Sequence, residues 1–171
     1  MTGKIKHVTQ ERLRELFKLT DKGLITKVTR INAPIGKGSY LHKSTGYKIL
    51  KVDGRQYREH RLVWIYVHGT LPKILDHIDG NKQNNNINNL RRSTASQNAH
   101  NAKLNSNNTS GVKGVSWYKK HQKWRGQVKN NNKQVHVGYF EELKDAEAAT
   151  CKLREKLHGK FTNHGIISWW I

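Results

Sequence analysis

The chain has a single cysteine, Cys151. That excludes an internal disulfide and any zinc site built from several cysteines, and it fits a reducing interior. Its place in a helical segment marks it as a small packing residue rather than a nucleophile. No apolar run approaches the roughly 20 residues of a membrane span. The opening Met1-Thr2-Gly3-Lys4-Ile5-Lys6 lacks an apolar signal core. A cytoplasmic, non-secreted, soluble protein is the expectation. Acidic residues are scarce: 12 against 32 Lys and Arg, for a formal charge of +20 and a pI of about 10.2. None occurs between Asp79 and Glu141, while Lys and Arg recur throughout that interval. Such a charge destabilises a compact state by self-repulsion unless a polyanion is near. Nucleic acid is the leading partner, and an anionic membrane surface comes second. The chain has no long amphipathic helix for the latter. With 35% hydrophobic residues in 171, the chain has room for one or two domains with small cores.

Residues 8–18 form an amphipathic helix by pattern, capped by Thr9, with Leu13, Leu16 and Phe17 on one face. Asp21-Lys22-Gly23 turns the chain into a strand at 24–29, and residues 30–45 read as a loop. Asp53-Gly54 between 47–52 and 55–57 is the strongest hairpin signal. A helix over 60–68 follows, with Leu62, Val63, Tyr66 and Val67 on one face; Gly69 ends it and Pro72 prevents its restart. Residues 74–78 are a short strand turned by Asp79-Gly80-Asn81. The Asn-rich stretch 81–89 reads as an ordered loop pinned by Ile87 and Leu90. Thr94 and Gln97 make a capping box for a helix to about Asn105. A linker by composition follows. Beyond it lie three short strands (112–118, 123–129 and 133–140) and a helix over 143–158, its stripe formed by Ala146, Ala149/Thr150, Leu153 and Leu157. The tail, 164–171, either packs back on the body or forms a contact.

The chemistry gathers at Asp76-His77. Neighbours on a strand, they point to opposite faces. One carboxylate with one amide oxygen suits Mg²⁺ or Mn²⁺, which keep waters and take further ligands from substrate phosphate. A neutral imidazole can take a proton from an attacking water, provided an acceptor holds its other nitrogen. Asn89 is the best-placed amide in the loop for that purpose. Asn98, in the first turns of the following helix, can supply the amide oxygen to the metal.

His60-Arg61-Leu62-Val63, Asp76-His77-Ile78-Asp79-Gly80-Asn81, Asn88-Asn89-Leu90-Arg91 and Gln97-Asn98-Ala99-His100-Asn101 together resemble the HNH endonucleases of the phage and intron-encoded group. The resemblance implies a ββα-metal fold. It implies Asp76 as first metal ligand, His77 as general base, Asn89 as the orienting residue and Asn98 as second ligand. Many relatives have His at that last position, and the nicking intron-encoded branch has Asn. His100 ranks lower, since two helical steps turn it about 200° from Asn98. Arg91 is placed among the DNA-contacting residues.

Residues 110–163 carry a second resemblance, to the ethylene-response-factor (Apetala-type) DNA-binding domain, on Thr109–Val115, Lys123-Trp124-Arg125 and Val135–Phe140. It implies a three-stranded antiparallel sheet on one helix, with the sheet in the major groove. Arg125, Gln127 and Lys129 share a strand face by period-2 alternation. Ser116 and Tyr118 join them on the first strand, and Gln134 and His136 on the third. Ser116, Gln127 and His136 stand where the plant pattern has Arg, Glu and Trp, so the plant target does not carry over. The basic N-terminal loop with Lys37, Lys43 and Lys48 is placed along the backbone.

The expected architecture is α+β. It has an N-terminal helix and hairpin region (1–59), a nuclease unit (60–105), a linker (106–110), a DNA-binding domain (111–163) and a tail (164–171). The expected function is a metal-dependent endonuclease on double-stranded DNA, homing-type or free-standing. One active site per chain favours nicking by a monomer, while a double-strand cut would need a dimer. The alternative is a regulatory DNA-binding protein with a vestigial nuclease unit.

Overall fold

The computed structural model describes residues 8–29 and 34–165. Most of the expected tail, with Trp169 and Trp170, lies outside the described residues. Backbone contacts divide the chain into two units, Met1–Ser93 and Thr94–Ile171. The stretch expected as a linker, 106–110, falls inside the second.

The first unit opens with helix α1 (Gln10–Leu16), where the Thr9 hydroxyl accepts from Arg12 N–H. Strands β1 (Phe17–Thr20) and β2 (Gly23–Thr26) form an antiparallel hairpin. Phe17 thus starts a strand instead of ending the helix. Strand β3 (Tyr40–His42) lies within the stretch expected as loop and pairs with β4 (Tyr47–Val52). Its side chains are all exposed, so no apolar alternation announces it. Strand β5 (Arg55–Arg58) completes a three-stranded sheet. Asp53 and Gly54 take φ of 45° and 79°, the left-handed pair that a two-residue hairpin needs.

Helix α2 (Glu59–His68) ends at Gly69, with φ 69°. Its buried residues are Glu59, His60, Leu62, Val63, Trp64 and Ile65, a wider face than the expected stripe, and Tyr66 and Val67 are only half-buried. Leu62 and Val63 join Leu13, Leu16, Phe17, Leu24, Leu50 and Val52 in one core. Strands β6 (Leu75–His77) and β7 (Leu90–Arg92) form a two-stranded ribbon. Such a ribbon is marginal alone. Leu90 and Leu71 are buried in the core, and Ile87 and Leu75 pack against it.

The second unit begins with helix α3 (Ala95–His100), opened by the Thr94/Gln97 capping box. It ends at His100, short of the expected Asn105. His100 stacks on His158, with ring centroids 3.6 Å apart. The Lys113 ammonium donates to the carbonyls of His100, Ala102 and Asn163. Burial, then the charge of Arg154, lowers Lys113 to about 8. These contacts bind α3 to the strands that follow.

Strands β8 (Val115–Tyr118), β9 (Lys123–Asn130) and β10 (Lys133–Phe140) form an antiparallel sheet in the order β10-β9-β8. Helix α4 (Leu143–His158) packs against it. Its deepest positions are Ala146, Thr150, Arg154 and His158, one residue off the expected Leu153 and Leu157. Arg154 is held there by bonds to the Lys113 carbonyl and His164. Cys151 is half-buried beside Arg154.

Candidate active site

The β6–β7 register sets Asp76 opposite Arg91 and His77 opposite Leu90. Asp76 and His77 are each 6% exposed. Nε and one terminal nitrogen of Arg91 both reach Asp76 Oδ2 at 2.9 Å. Paired residues across a ribbon share a face, so this contact follows from the register. Arg91, expected on DNA, is thus held on the expected metal carboxylate.

The loop between the strands is built by its asparagines. Asp79 Oδ1 accepts from Asn81 N–H at 2.7 Å and from Asn89 Nδ2 at 2.9 Å, and Oδ2 accepts from Asn84 Nδ2 at 2.8 Å. Asn89 Oδ1 accepts from Asp79 N–H, and the Asn89 carbonyl accepts from Ile78 N–H. Burial works against the Asp79 charge. The bonds from Asn81, Asn84 and Asn89 outweigh it and hold the carboxyl below its usual range. The side chain of Asn89 therefore closes the loop.

The amide on the imidazole belongs to Asn85. His77 Nε2 lies 3.0 Å from Asn85 Oδ1. Asn85 Nδ2 donates at 2.7 Å to Glu59 Oε2. Glu59 is 1% exposed and also accepts from Leu24 N–H at 3.0 Å and Ser39 Oγ at 2.8 Å. Sequence reasoning missed both residues. Asn85 is one of six asparagines in 81–89, and no spacing singles it out. His60 enters the sequence reading only as part of a motif, yet its ring stands edge-on to His77 at 4.9 Å and stacks on Tyr47 at 5.2 Å. Burial first, then the neighbouring His77, Arg58 and Arg61, pushes His60 down to about 3. Arg58 and Lys82 lie over the Tyr47 ring at 4.3 and 4.9 Å.

Asn98 is exposed on α3, in the second unit. His100 is buried, with Ser96 Oγ 3.2 Å from its Nε2. Among the described residues no group of three or more His, Cys, Asp or Glu is placed to hold a metal.

On the sheet of the second unit, cross-strand pairs set Ser116 beside Arg125, His136 beside Gln127, and Gln134 beside Lys129. The residues expected on one face are therefore together on it. Tyr118, His121, His136 and Tyr139 form a ring cluster, with neighbouring centroids 4.8–5.3 Å apart. The Arg125 guanidinium lies over Tyr118 at 5.2 Å. Its Nε is buried with no hydrogen-bond partner among the described residues. His121 and Tyr139 were not anticipated. Trp117, on the other face, is 43% exposed and stands edge-on to Trp124.

Residues 57–100 match the family of HNH endonucleases. Protein 3.8 of Escherichia phage T7 is 41% identical over 106 residues, which is 61% of this chain and 87% of that protein. The chain belongs to the Protein 3.8 family and carries an HNH endonuclease domain. No solved structure matches it. The matched HNH segment starts at β5 and α2 and runs through the β6–β7 ribbon into α3, so it contains His60, Asp76, His77, Asn85 and Asn89. Glu59 is also within it.

Proposed function

We propose that this HNH protein is a metal-dependent endonuclease that nicks double-stranded DNA. The observation that carries this is His77, buried on the ribbon of the HNH segment with one ring nitrogen on Asn85. An imidazole held that way can take a proton from the attacking water at its other nitrogen. Asp76 would hold Mg²⁺ or Mn²⁺. A buried carboxylate is a hard donor, suited to a cation that keeps most of its waters. Asn98, expected as second ligand, lies on α3 in the second unit. That cation would supply charge stabilisation at the phosphorus and the departing oxygen. Asn89 serves by closing the loop that carries Asp79.

Sequence recognition is assigned to the second unit, on the model of the ethylene-response-factor type of domain. Ser116, Tyr118, Arg125, Gln127, Lys129 and His136 supply its face. The support is their common face, the cationic charge and the exposure of Lys129 and His136. Arg and Gln hydrogen-bond base edges, and Lys reaches phosphates.

A second reading, a regulatory DNA-binding protein with an idle nuclease unit, draws on Arg91, whose charge already neutralises Asp76. One assay separates the two. His77→Ala and Asp76→Ala should each abolish Mg²⁺-dependent nicking of supercoiled DNA while DNA affinity survives. Cleavage by the wild type without divalent metal, or unimpaired nicking by His77→Ala, would falsify the endonuclease mechanism. A wild type that binds and never nicks supports the regulatory reading.

A further inference from the structure

We infer that Glu59 and Asn85 are positioning residues that fix the tautomer of His77, placing its proton on Nε2 and its basic lone pair on Nδ1. The inference rests on the nuclease reading for its kinetic consequence and on geometry alone for the tautomer. Each bond in the chain dictates the next. Glu59 offers only acceptors to its three donors, Leu24 N–H, Ser39 Oγ–H and Asn85 Nδ2. The Asn85 amide must therefore turn its NH₂ to Glu59, which leaves its oxygen facing His77 Nε2 at 3.0 Å. An oxygen there requires an N–H opposite it. In the neutral imidazole the other nitrogen then carries the lone pair.

The chain is buried from end to end, with Glu59 1%, Asn85 4% and His77 6% exposed. Water does not compete for its bonds, and a partner removed there leaves a costly orphan. The N-terminal hairpin is part of the device. Gly23 has φ 118°, and a Cβ at that position would collide with Glu59 Oε1. Its bare backbone lets the carboxylate approach and bond Leu24 N–H. The hairpin is thus more than scaffold, since it aims the far end of the histidine relay. His60, whose charged form burial disfavours, packs edge-on against the His77 ring.

Glu59→Gln is the decisive substitution, because it keeps the shape and reverses one end of the chain. The introduced amide can accept from Leu24 N–H with its oxygen and must then present NH₂ to Asn85. Asn85 flips, its NH₂ meets Nε2, and the imidazole proton moves to Nδ1. The test is ¹⁵N NMR of full-length, metal-free protein, well above the ordinary histidine pKa, with His77 assigned against His77→Ala. The expected result is the Nε2–H pattern in the wild type and the Nδ1–H pattern in Glu59→Gln. A wild-type His77 in the Nδ1–H form, or a Glu59→Gln protein that stays Nε2–H, overturns the inference whether or not the protein cuts DNA.

Kinetics supply a second arm. A wrong tautomer in a base-catalysed site typically costs about 10²–10⁴ in kcat. Glu59→Gln should lose rate in that range with KM for DNA unchanged. A loss confined to KM would rule the positioning role out. Should Glu59→Gln fold poorly, Asn85→Ala carries the test. It should also lower kcat with KM unchanged, and a further Asn85→Gln exchange should restore part of the rate. An Asn85→Ala protein with wild-type kcat refutes the role.

Discussion

The surroundings of His77 and the outer face of the β8–β10 sheet are both polar, and they are built on opposite terms. Around His77 the polar groups are buried and bonded in series: His77 to Asn85, Asn85 to Glu59, and Arg91 to Asp76. On the sheet, Lys129, His136 and Tyr139 are exposed, and the Arg125 guanidinium lies over the Tyr118 ring. Buried polar networks hold one geometry at a high cost of disruption. Open cationic faces form few internal bonds and keep their hydrogen-bonding capacity for a ligand. That division suits the proposed chemistry in the first unit and the proposed binding in the second, and it predicts that damage to each will register in a different measurement.

The largest effect should come from His77→Ala. Loss of a general base costs about 10²–10⁴ in rate. Single-turnover nicking should fall by that factor while DNA affinity, measured by fluorescence anisotropy, stays within about twofold. If affinity fell as far as rate, the separation of the two regions would be false.

Arg91→Ala ranks next. Removing one partner of a buried ion pair typically costs about 3–5 kcal/mol. Denaturant unfolding should show a loss in that range, and millimolar Mg²⁺ should recover part of it by binding the folded state at Asp76. Absence of any Mg²⁺ effect on the variant's midpoint would argue against Asp76 as a metal ligand.

Much of this architecture was legible because it rests on local signals. The left-handed pair Asp53-Gly54 marks its hairpin, the Thr94/Gln97 box marks its helix, and 143–158 is a helix at both of its expected ends. The basic, acid-free interval was plain from composition. What escaped was fixed by distant contact. Glu59 meets Asn85 across 26 positions and Leu24 across 35. No periodicity encodes such a meeting. Asn89 was expected to hold the imidazole as the best-placed amide in the loop and as the orienting residue that the HNH resemblance implies. Its side chain meets Asp79 instead, ten positions back. On α4 the apolar stripe pointed at Leu153 and Leu157. The sheet instead takes the neighbouring Arg154 and His158, whose polar ends find the Lys113 and Lys129 carbonyls.

On the open face, Arg125→Ala should weaken binding to the preferred site by about 1–3 kcal/mol, the value of a good base-edge contact. Nicking at saturating DNA should be unchanged. Equal weakening on every sequence would make Arg125 a phosphate contact only.

Acid should act on the buried region through His60. His60 falls to about 3 in the folded protein, below the ordinary 6.5, so the unfolded chain binds its proton first. Its contribution to stability is present above the unfolded value and is lost as pH falls from about 6.5 toward 3, at about 1.4 kcal/mol per pH unit at most. His60→Phe should flatten that part of the stability profile. An unchanged profile would show that His60 accepts a proton in the folded state at its ordinary pKa.

The smallest effect belongs to Lys129, an exposed cation on β9 beside Gln134. A lysine that neutralises one phosphate releases about one counterion, so its loss lowers the slope of log K against log salt by about 1. Lys129→Gln should therefore lower affinity at low salt, equally for preferred and unrelated DNA, and the difference should close as salt rises. Nicking at saturating DNA should not move, since the relay at His77 has no part in this contact. If Lys129→Gln changed sequence preference and left the slope alone, Lys129 would be reading base edges. The open face would then carry specificity in its lysine as well as its arginine.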